Sequence, residues 1–250
     1  MPKLSMHTTY NYSPNFELKK RKPDQIKFII FHYTGMKKES EAIERLTSIK
    51  SKVSCHYLIK NNGEIVVMVP DLYEAWHAGV SSWRNFKFLN KNSIGIEISN
   101  PGHDFNYKIF SKRQIQSIKK LTRFLIKKYK IDKKNILGHS DIAPNRKKDP
   151  GEKFPWKYLA KFSIGNWHSL SVKTLVKNRR KKINPKDKKF FFGYLLKIGY
   201  SIKNPTKLKK DEFSILLISA FQRRFRQELI NGKIDQECLL ISQNLARKLN

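Results

Sequence analysis

Apolar residues follow two rhythms along this chain. Residues 26–31, Ile26-Lys27-Phe28-Ile29-Ile30-Phe31, form a nearly continuous apolar run that predicts a buried strand ending in His32. After Ser40, an N-cap candidate, Ala42, Ile43, Leu46 and Ile49 recur at helical spacing. Residues 53–60 and 64–69 predict a second and a third strand, joined by the hairpin-type turn Asn61-Asn62-Gly63. Residues 70–91, rich in Trp, His and Gly, read as a loop, and 94–99 as a fourth strand. In that strand Ile94, Ile96 and Ile98 share one face, while Gly95, Glu97 and Ser99 share the other. Ser111, with Gln114 three residues on, opens the longest helix through a capping box. Its buried stripe is Ile115, Ile118, Leu121, Leu125, Ile126 and Tyr129; Lys112, Arg113, Lys119, Lys120 and Lys127 make the wet face. Strands alternating with helices, together with the early hairpin, predict an α/β fold with a mixed central sheet flanked by helices.

Outside this core the pattern changes. Residues 1–24 are polar, with Pro14 and Pro23, and read as an N-terminal arm. Residues 25–170 hold the α/β domain. Residues 171–187, with Arg179-Arg180-Lys181-Lys182, read as a basic linker. Residues 188–250 predict a small all-α unit of three helices: 188–198 closed by Gly199, 212–229, and a last one capped by Asp235. Its expected core is Leu195, Leu196, Phe213, Leu217, Phe221 and Phe225. No His or acidic cluster with ligand spacing follows His168, so the unit is expected to be an independent lobe without chemistry of its own. Three short basic helices also fit a helix-turn-helix reader of DNA.

Composition narrows this picture only in part. The 250 residues, 39% hydrophobic, suffice for one sizeable domain plus a small one. No stretch is long and apolar enough to span a membrane. The start, Met1 to His7, lacks an apolar signal core, so export by another route, a missing leader and a cytoplasmic site all stay open. Net charge is +32, of which +14 falls from Leu170 onward and +18 before it. Such a field attracts polyanions, nucleic acid or carboxylate-bearing peptidoglycan stems, or reflects drift toward lysine. Because the charge is diffuse, no specific nucleic acid is expected. Cys55 and Cys238 lie far apart and read as small buried hydrophobes, without a disulfide framework.

Candidate chemistry concentrates in residues 138–156, GHSDIAPNRKKDPGEKFPW. Prolines and glycines forbid regular structure through most of this loop. His139 offers an imidazole nitrogen, Asp149 a carboxylate oxygen, and Lys147 an ammonium beside it. A catalytic zinc takes three protein ligands and keeps one open position. His32, at the end of its strand, is the best third ligand in company with His139 and Asp149, although alone it reads as a hydrogen-bonded core histidine. Glu97 is costly among isoleucines unless paired or used as an acid/base, the alternative being a surface glutamate on a half-wet strand. Lys147 can stabilise an oxyanion, or be one more solvated lysine.

The loop resembles the zinc loop of N-acetylmuramoyl-L-alanine amidases of the AmpD/AmiD family. Residues 31–34 (FHYT), 75–84 (AWHAGVSSWR) and 90–98 (NKNSIGIEI) match it as well, and the wording of 76–84 lies closest to the AmiD branch. The likeness covers residues 25 to 170. It implies one zinc ion on His32, His139 and Asp149, with Glu97 activating water and Lys147 stabilising the oxyanion. It also implies substrate contacts from His77, Trp83, Arg84 and Asn90. Trp83 is expected to stack on sugar and Arg84 to pair with a stem carboxylate; His56 is expected to be packed. The reaction implied is hydrolysis of the amide between N-acetylmuramic acid, or its 1,6-anhydro form, and L-alanine. The implied partner is peptidoglycan or anhydro-muropeptides, and the implied compartment the periplasm or cell envelope. Residues 220–226 and 231–235 resemble, more weakly, the peptidoglycan-binding helical domain of the AmiD branch. A non-catalytic peptidoglycan-binding protein is the alternative reading.

Overall fold

The computed structural model describes residues 8–203 and 208–249. Strands β1 (Thr8–Tyr10), β2 (Phe16–Glu17) and β3 (Phe28–Tyr33) come first, then helix α1 (Glu39–Thr47). The hairpin strands β4 (Tyr57–Ile59) and β5 (Ile65–Val67) are followed by the short pieces β6 (Glu74–Ala75), β7 (Ser82–Trp83) and β8 (Phe86–Lys87). Strand β9 (Ser93–Ile98), helix α2 (Lys112–Tyr129), strand β10 (Ile136–Gly138) and helices α3 (His139–Ile142) and α4 (Trp156–Ala160) complete the α/β part. Helices α5 (Val172–Asn178), α6 (Pro185–Ile198), α7 (Lys210–Phe225) and α8 (Gln236–Arg247) close the described chain.

The central sheet has the order β1-β5-β4-β9-β3-β10 and is mostly parallel, with β5 antiparallel to β4. The mixed sheet flanked by helices is thus as expected. Strand β3 lies inside it and is covered on both faces, which is why its sequence is continuously apolar. Its register with β9 sorts the side chains. Ile29 and Phe31 lie beside Ile94 and Ile96, on the face packed with Ile118, Leu121 and Leu125 of α2. On the opposite face Phe28, Ile30 and His32 lie beside Ser93, Gly95 and Glu97. That face carries His32 and Glu97, near the ends of β3 and β9. The predicted capping box of α2 is present, Ser111 Oγ accepting from Gln114 N at 3.2 Å.

Several expectations are corrected. Helix α1 starts at Glu39 with Lys38 as its N-cap, two residues ahead of Ser40, and the chain turns extended at Ser48, so Ile49 is exposed. Strand β4 covers only Tyr57–Ile59, because Ser54 and His56 engage loops; Ser54 Oγ, for example, accepts from Trp76 N at 2.8 Å. The N-terminal arm is woven in as far as it is described: β1 adds the edge strand, β2 pairs with β6, and Ser13, Asn15 and Arg21 are buried. Residues 1–7, including His7, lie outside the described residues. Residues 171–187, expected to be a basic linker, contain α5, and Arg179 makes a two-pronged ion pair with buried Glu237 at 2.7 Å on each arm. In the C-terminal core Leu196 is exposed.

The larger correction concerns independence. Phe191, Leu195, Phe213, Leu217, Phe221 and Phe225 form one cluster with Phe28 and Ile30 of β3, Leu137 of β10 and Ile142 of α3. The C-terminal helices therefore cover the second face of the sheet. Polar contacts reinforce the seam. Arg224 is buried, pairs with Asp141, donates to Ile136 O at 2.9 Å and lies over the Trp156 ring at 4.0 Å. Tyr200 donates to the other Asp141 oxygen at 2.6 Å.

Candidate metal centre and cleft

Three elements bring the centre together. His32 sits near the end of β3, and His139 is the first residue of α3, directly after β10, the parallel neighbour of β3. A short helix opens the loop, which is irregular from residue 143 to 155 as expected; Asp141 accepts from Gly138 N at 2.7 Å and secures the first turn of the helix. Ser140 N donates to Asp149 O at 2.8 Å, which folds the loop back so that Asp149 returns to the same point. The Asp149-Pro150 bond is cis.

All three side chains are buried. His32 Nδ1 lies 2.9 Å from His139 Nδ1, and each of these nitrogens lies 3.0 Å from Asp149 Oδ2. Two nitrogens and an oxygen converging so closely form a set that can hold a metal ion, and these residues are the cluster with that property among the described residues. Burial, then the neighbouring His139, lowers His32 to about 4, so it is neutral and able to ligate. Burial would raise the Asp149 carboxyl, but His139 and His32 override it and hold it below the usual carboxylate range.

A cleft of about 500 Å³ opens over the centre. His32, Glu97, Trp76, Arg146, Lys147 and Lys148 are among its lining residues. Glu97 lies opposite His32 in the β3/β9 register, and its Oε2 is buried without a hydrogen-bond partner. Burial, and secondarily Asp149, push its carboxyl up to about 8, while Lys147 pulls it down. A carboxyl so placed fits a proton-transfer group better than a surface glutamate. In the metal-free chain this has a consequence for stability. Between the ordinary value of 4.5 and about 8, the folded state holds a proton that the unfolded state has released. The parent therefore loses stability as pH rises through this window, by up to about 1.4 kcal/mol per pH unit. Glu97→Gln removes that slope. Urea unfolding with chelator present should find the variant gaining on the parent steadily from pH 5 to 8; a difference that stays flat would give Glu97 an ordinary carboxylate.

The residues expected to touch substrate are placed differently. Trp83 is buried, its ring 4.8 Å from that of Tyr200 in the seam with the C-terminal helices, so no face is free for a sugar. Arg84 is exposed outside the cleft lining, and its backbone N–H is bound to Gly199 O at 2.7 Å. Asn90 Oδ1 accepts from the backbone N–H groups of His77 and Ala78, at 3.2 and 2.6 Å. His77 lines the cleft, but both ring nitrogens are engaged: Nδ1 with His32 Nε2 at 3.0 Å, Nε2 with Ser93 Oγ at 3.1 Å. His56 is packed as expected, its Nδ1 accepting from Gly95 N at 2.9 Å. Sequence reasoning passed over Arg146, which donates to Val80 O at 2.8 Å and to Ala78 O. It also missed Ser93, although strand parity places it with Gly95 and Glu97.

Comparison with known proteins shows the family. The family described as N-acetylmuramoyl-L-alanine amidase matches residues 22–152. The chain is similar to the N-acetylmuramoyl-L-alanine amidase AmiD of Escherichia coli K12, with 35% identity over 236 residues, 90% of this chain and 83% of that protein. A solved complex of E. coli AmiD with the substrate anhydro-N-acetylmuramic acid-L-Ala-D-gamma-Glu-L-Lys superposes with a TM-score of 0.77 at 33% identity, covering 93% of this chain and 92% of that one. The 1,6-anhydro-N-acetylmuramyl-L-alanine amidase AmpD of E. coli K12 is 46% identical over 105 residues, 42% of this chain and 55% of that protein. With the three converging donors, Glu97 and Lys147 all inside the matched span, the chain belongs to the N-acetylmuramoyl-L-alanine amidase family.

Proposed function

We propose that this chain is a zinc-dependent amidase that hydrolyses the bond between the lactyl carbonyl of N-acetylmuramic acid, or its 1,6-anhydro form, and L-alanine. The observation that carries the reading is the buried His32, His139 and Asp149 set at the floor of a cleft that also presents Glu97 and Lys147. Zinc suits the donors: bonds of about 2.0–2.1 Å in a tetrahedron set ligand atoms about 3.3 Å apart, close to the separations here. When bound, zinc would supply Lewis acidity to the attacking water and the scissile carbonyl. Glu97 accepts the water proton and passes it to the departing amine of L-alanine. Lys147 offsets the negative charge that grows on the carbonyl oxygen. Trp76, half-buried in the cleft wall, offers an apolar face to the sugar or stem.

The polymer or its anhydro-muropeptide fragments are the partner, and action on the polymer places the protein in the periplasm or cell envelope. Among the described residues no helix is long and apolar enough to cross a membrane. The helices from residue 188 onward are read as the peptidoglycan-binding-like unit of an enzyme whose catalytic domain spans 25–170. The test is metal removal. Chelation should abolish muramoyl amide cleavage, and zinc at one equivalent should restore it. Undiminished cleavage by demonstrably metal-free protein would overturn the zinc mechanism, and muropeptide binding without cleavage by zinc-loaded protein would leave a receptor.

A further inference from the structure

The partners of the two histidine ligands decide the place of the hydrogen to different degrees. At His139 both ring nitrogens face an acceptor, Asp149 Oδ2 3.0 Å from Nδ1 and Ala78 O 3.1 Å from Nε2, and Arg146 Nη2 faces Nε2 as a donor at 3.4 Å. These contacts admit either tautomer of His139.

His32 is set through one further ring. Ser93 Oγ donates to Leu89 O at 2.6 Å, which commits the hydroxyl hydrogen. The same oxygen can then only accept from His77 Nε2, 3.1 Å away. A neutral imidazole with its hydrogen on Nε2 has a lone pair at Nδ1, and His77 Nδ1 faces His32 Nε2 at 3.0 Å. His32 therefore carries its hydrogen on Nε2, which leaves Nδ1 bare toward His139 and Asp149.

His77 is adjacent to Ala78, whose carbonyl faces His139 Nε2. Asn90 Oδ1 fixes that pair through both backbone N–H groups. Gly95 beneath leaves room for the His77 ring, into which any side chain there would run. We propose that Asn90, His77 and Ser93 form a tautomer-setting bracket of the metal centre: they hold the hydrogen of the His32 imidazole on Nε2 and turn its Nδ1 lone pair inward. His77, Ser93 and Asn90 are thus positioning residues that act through His32 without touching substrate. The proposal rests on the metal-centre reading above.

The experiment uses the full chain and two readouts besides activity. The first is long-range nitrogen–proton NMR of the histidine rings in metal-free protein. It should find His32 and His77 both with the hydrogen on Nε2. The second is the zinc Kd, by competition with a chelator, for the parent, Ser93→Ala, Ser93→Thr and His77→Phe. Ser93→Ala removes the acceptor that orients His77, so His77 and His32 should become tautomer mixtures. Zinc binding should weaken about 10- to 100-fold, as for other groups that orient a ligand. Ser93→Thr keeps the hydroxyl and should restore the parental Kd; His77→Phe should match the alanine variant. An Nδ1 hydrogen on His32 in the metal-free parent would overturn the bracket, and that spectrum needs no variant to fold. So would a zinc Kd within about twofold of the parent in both Ser93→Ala and His77→Phe. Failure of the parent itself to bind zinc would instead sink the metal-centre reading.

Discussion

Zinc-loaded Glu97→Gln is expected to turn over a soluble anhydro-muropeptide about 100-fold more slowly than the parent, or slower still, with zinc content unchanged. The expectation comes from position. Glu97 stands across from His32 in the β3/β9 register, so its side chain emerges on the cleft side of the sheet. It is not one of the three converging donors, so its loss should leave the metal in place. Its Oε2 lacks a protein partner, which leaves it available to substrate water. Glutamine keeps the size and removes the proton affinity. Metal analysis beside kcat and KM checks the outcome, and the fall should appear in kcat. Turnover within about threefold of the parent, with zinc bound, would remove Glu97 from the chemistry.

A chain ended near Ser169 is expected not to fold to the native state, so activity should be lost even on soluble substrate. This reverses what an independent lobe would do. Cutting there exposes Phe28, Ile30 and Leu137, which lie under the C-terminal helices, and strips Asp141 of both Arg224 and Tyr200. Leaving one partner of a buried ion pair alone costs about 3–5 kcal/mol, against a total stability of about 5–15 kcal/mol for a typical domain. Arg224→Met isolates that part. In the full chain it should lower the unfolding free energy by about 3–5 kcal/mol, because Asp141 keeps Tyr200 and Gly138 N but loses its cation. Circular dichroism and urea unfolding of the two chains decide the matter. Cooperative unfolding of the truncated chain at the parental midpoint would show that the helices are a dispensable lobe after all.

The peptidoglycan-binding reading of these helices is separable from their role as cover. A surface can bind murein while its inner side completes a core, and only the inner side is shown by contacts here.

Much of this was legible in the residues themselves. Continuous apolar character revealed β3 as a strand covered on both faces, and alternation in 94–98 put Glu97 opposite the isoleucines. The capping box of α2, the Gly199 stop of α6 and the Asp235 cap of α8 are local signals, decided within three or four residues. The wording of 138–156 named His139, Asp149 and Lys147, and His32 followed from its place at a strand end. These features depend on short-range spacing, which a linear string records directly. Tertiary structure decided the rest. Trp83, Arg84, His77 and Asn90 sit in one stretch with similar composition, yet one is buried in a seam, one faces solvent, one bonds the His32 ring and one ties the backbone. Nothing local separates these fates, because each depends on what arrives from more than ten residues away: Tyr200 for Trp83, His32 for His77. The same holds for the C-terminal helices. Their amphipathic pattern showed that an apolar face must be buried, but a face does not name its partner, and only the sheet's bare second side, with Asp141 waiting for Arg224, determined that they complete the domain.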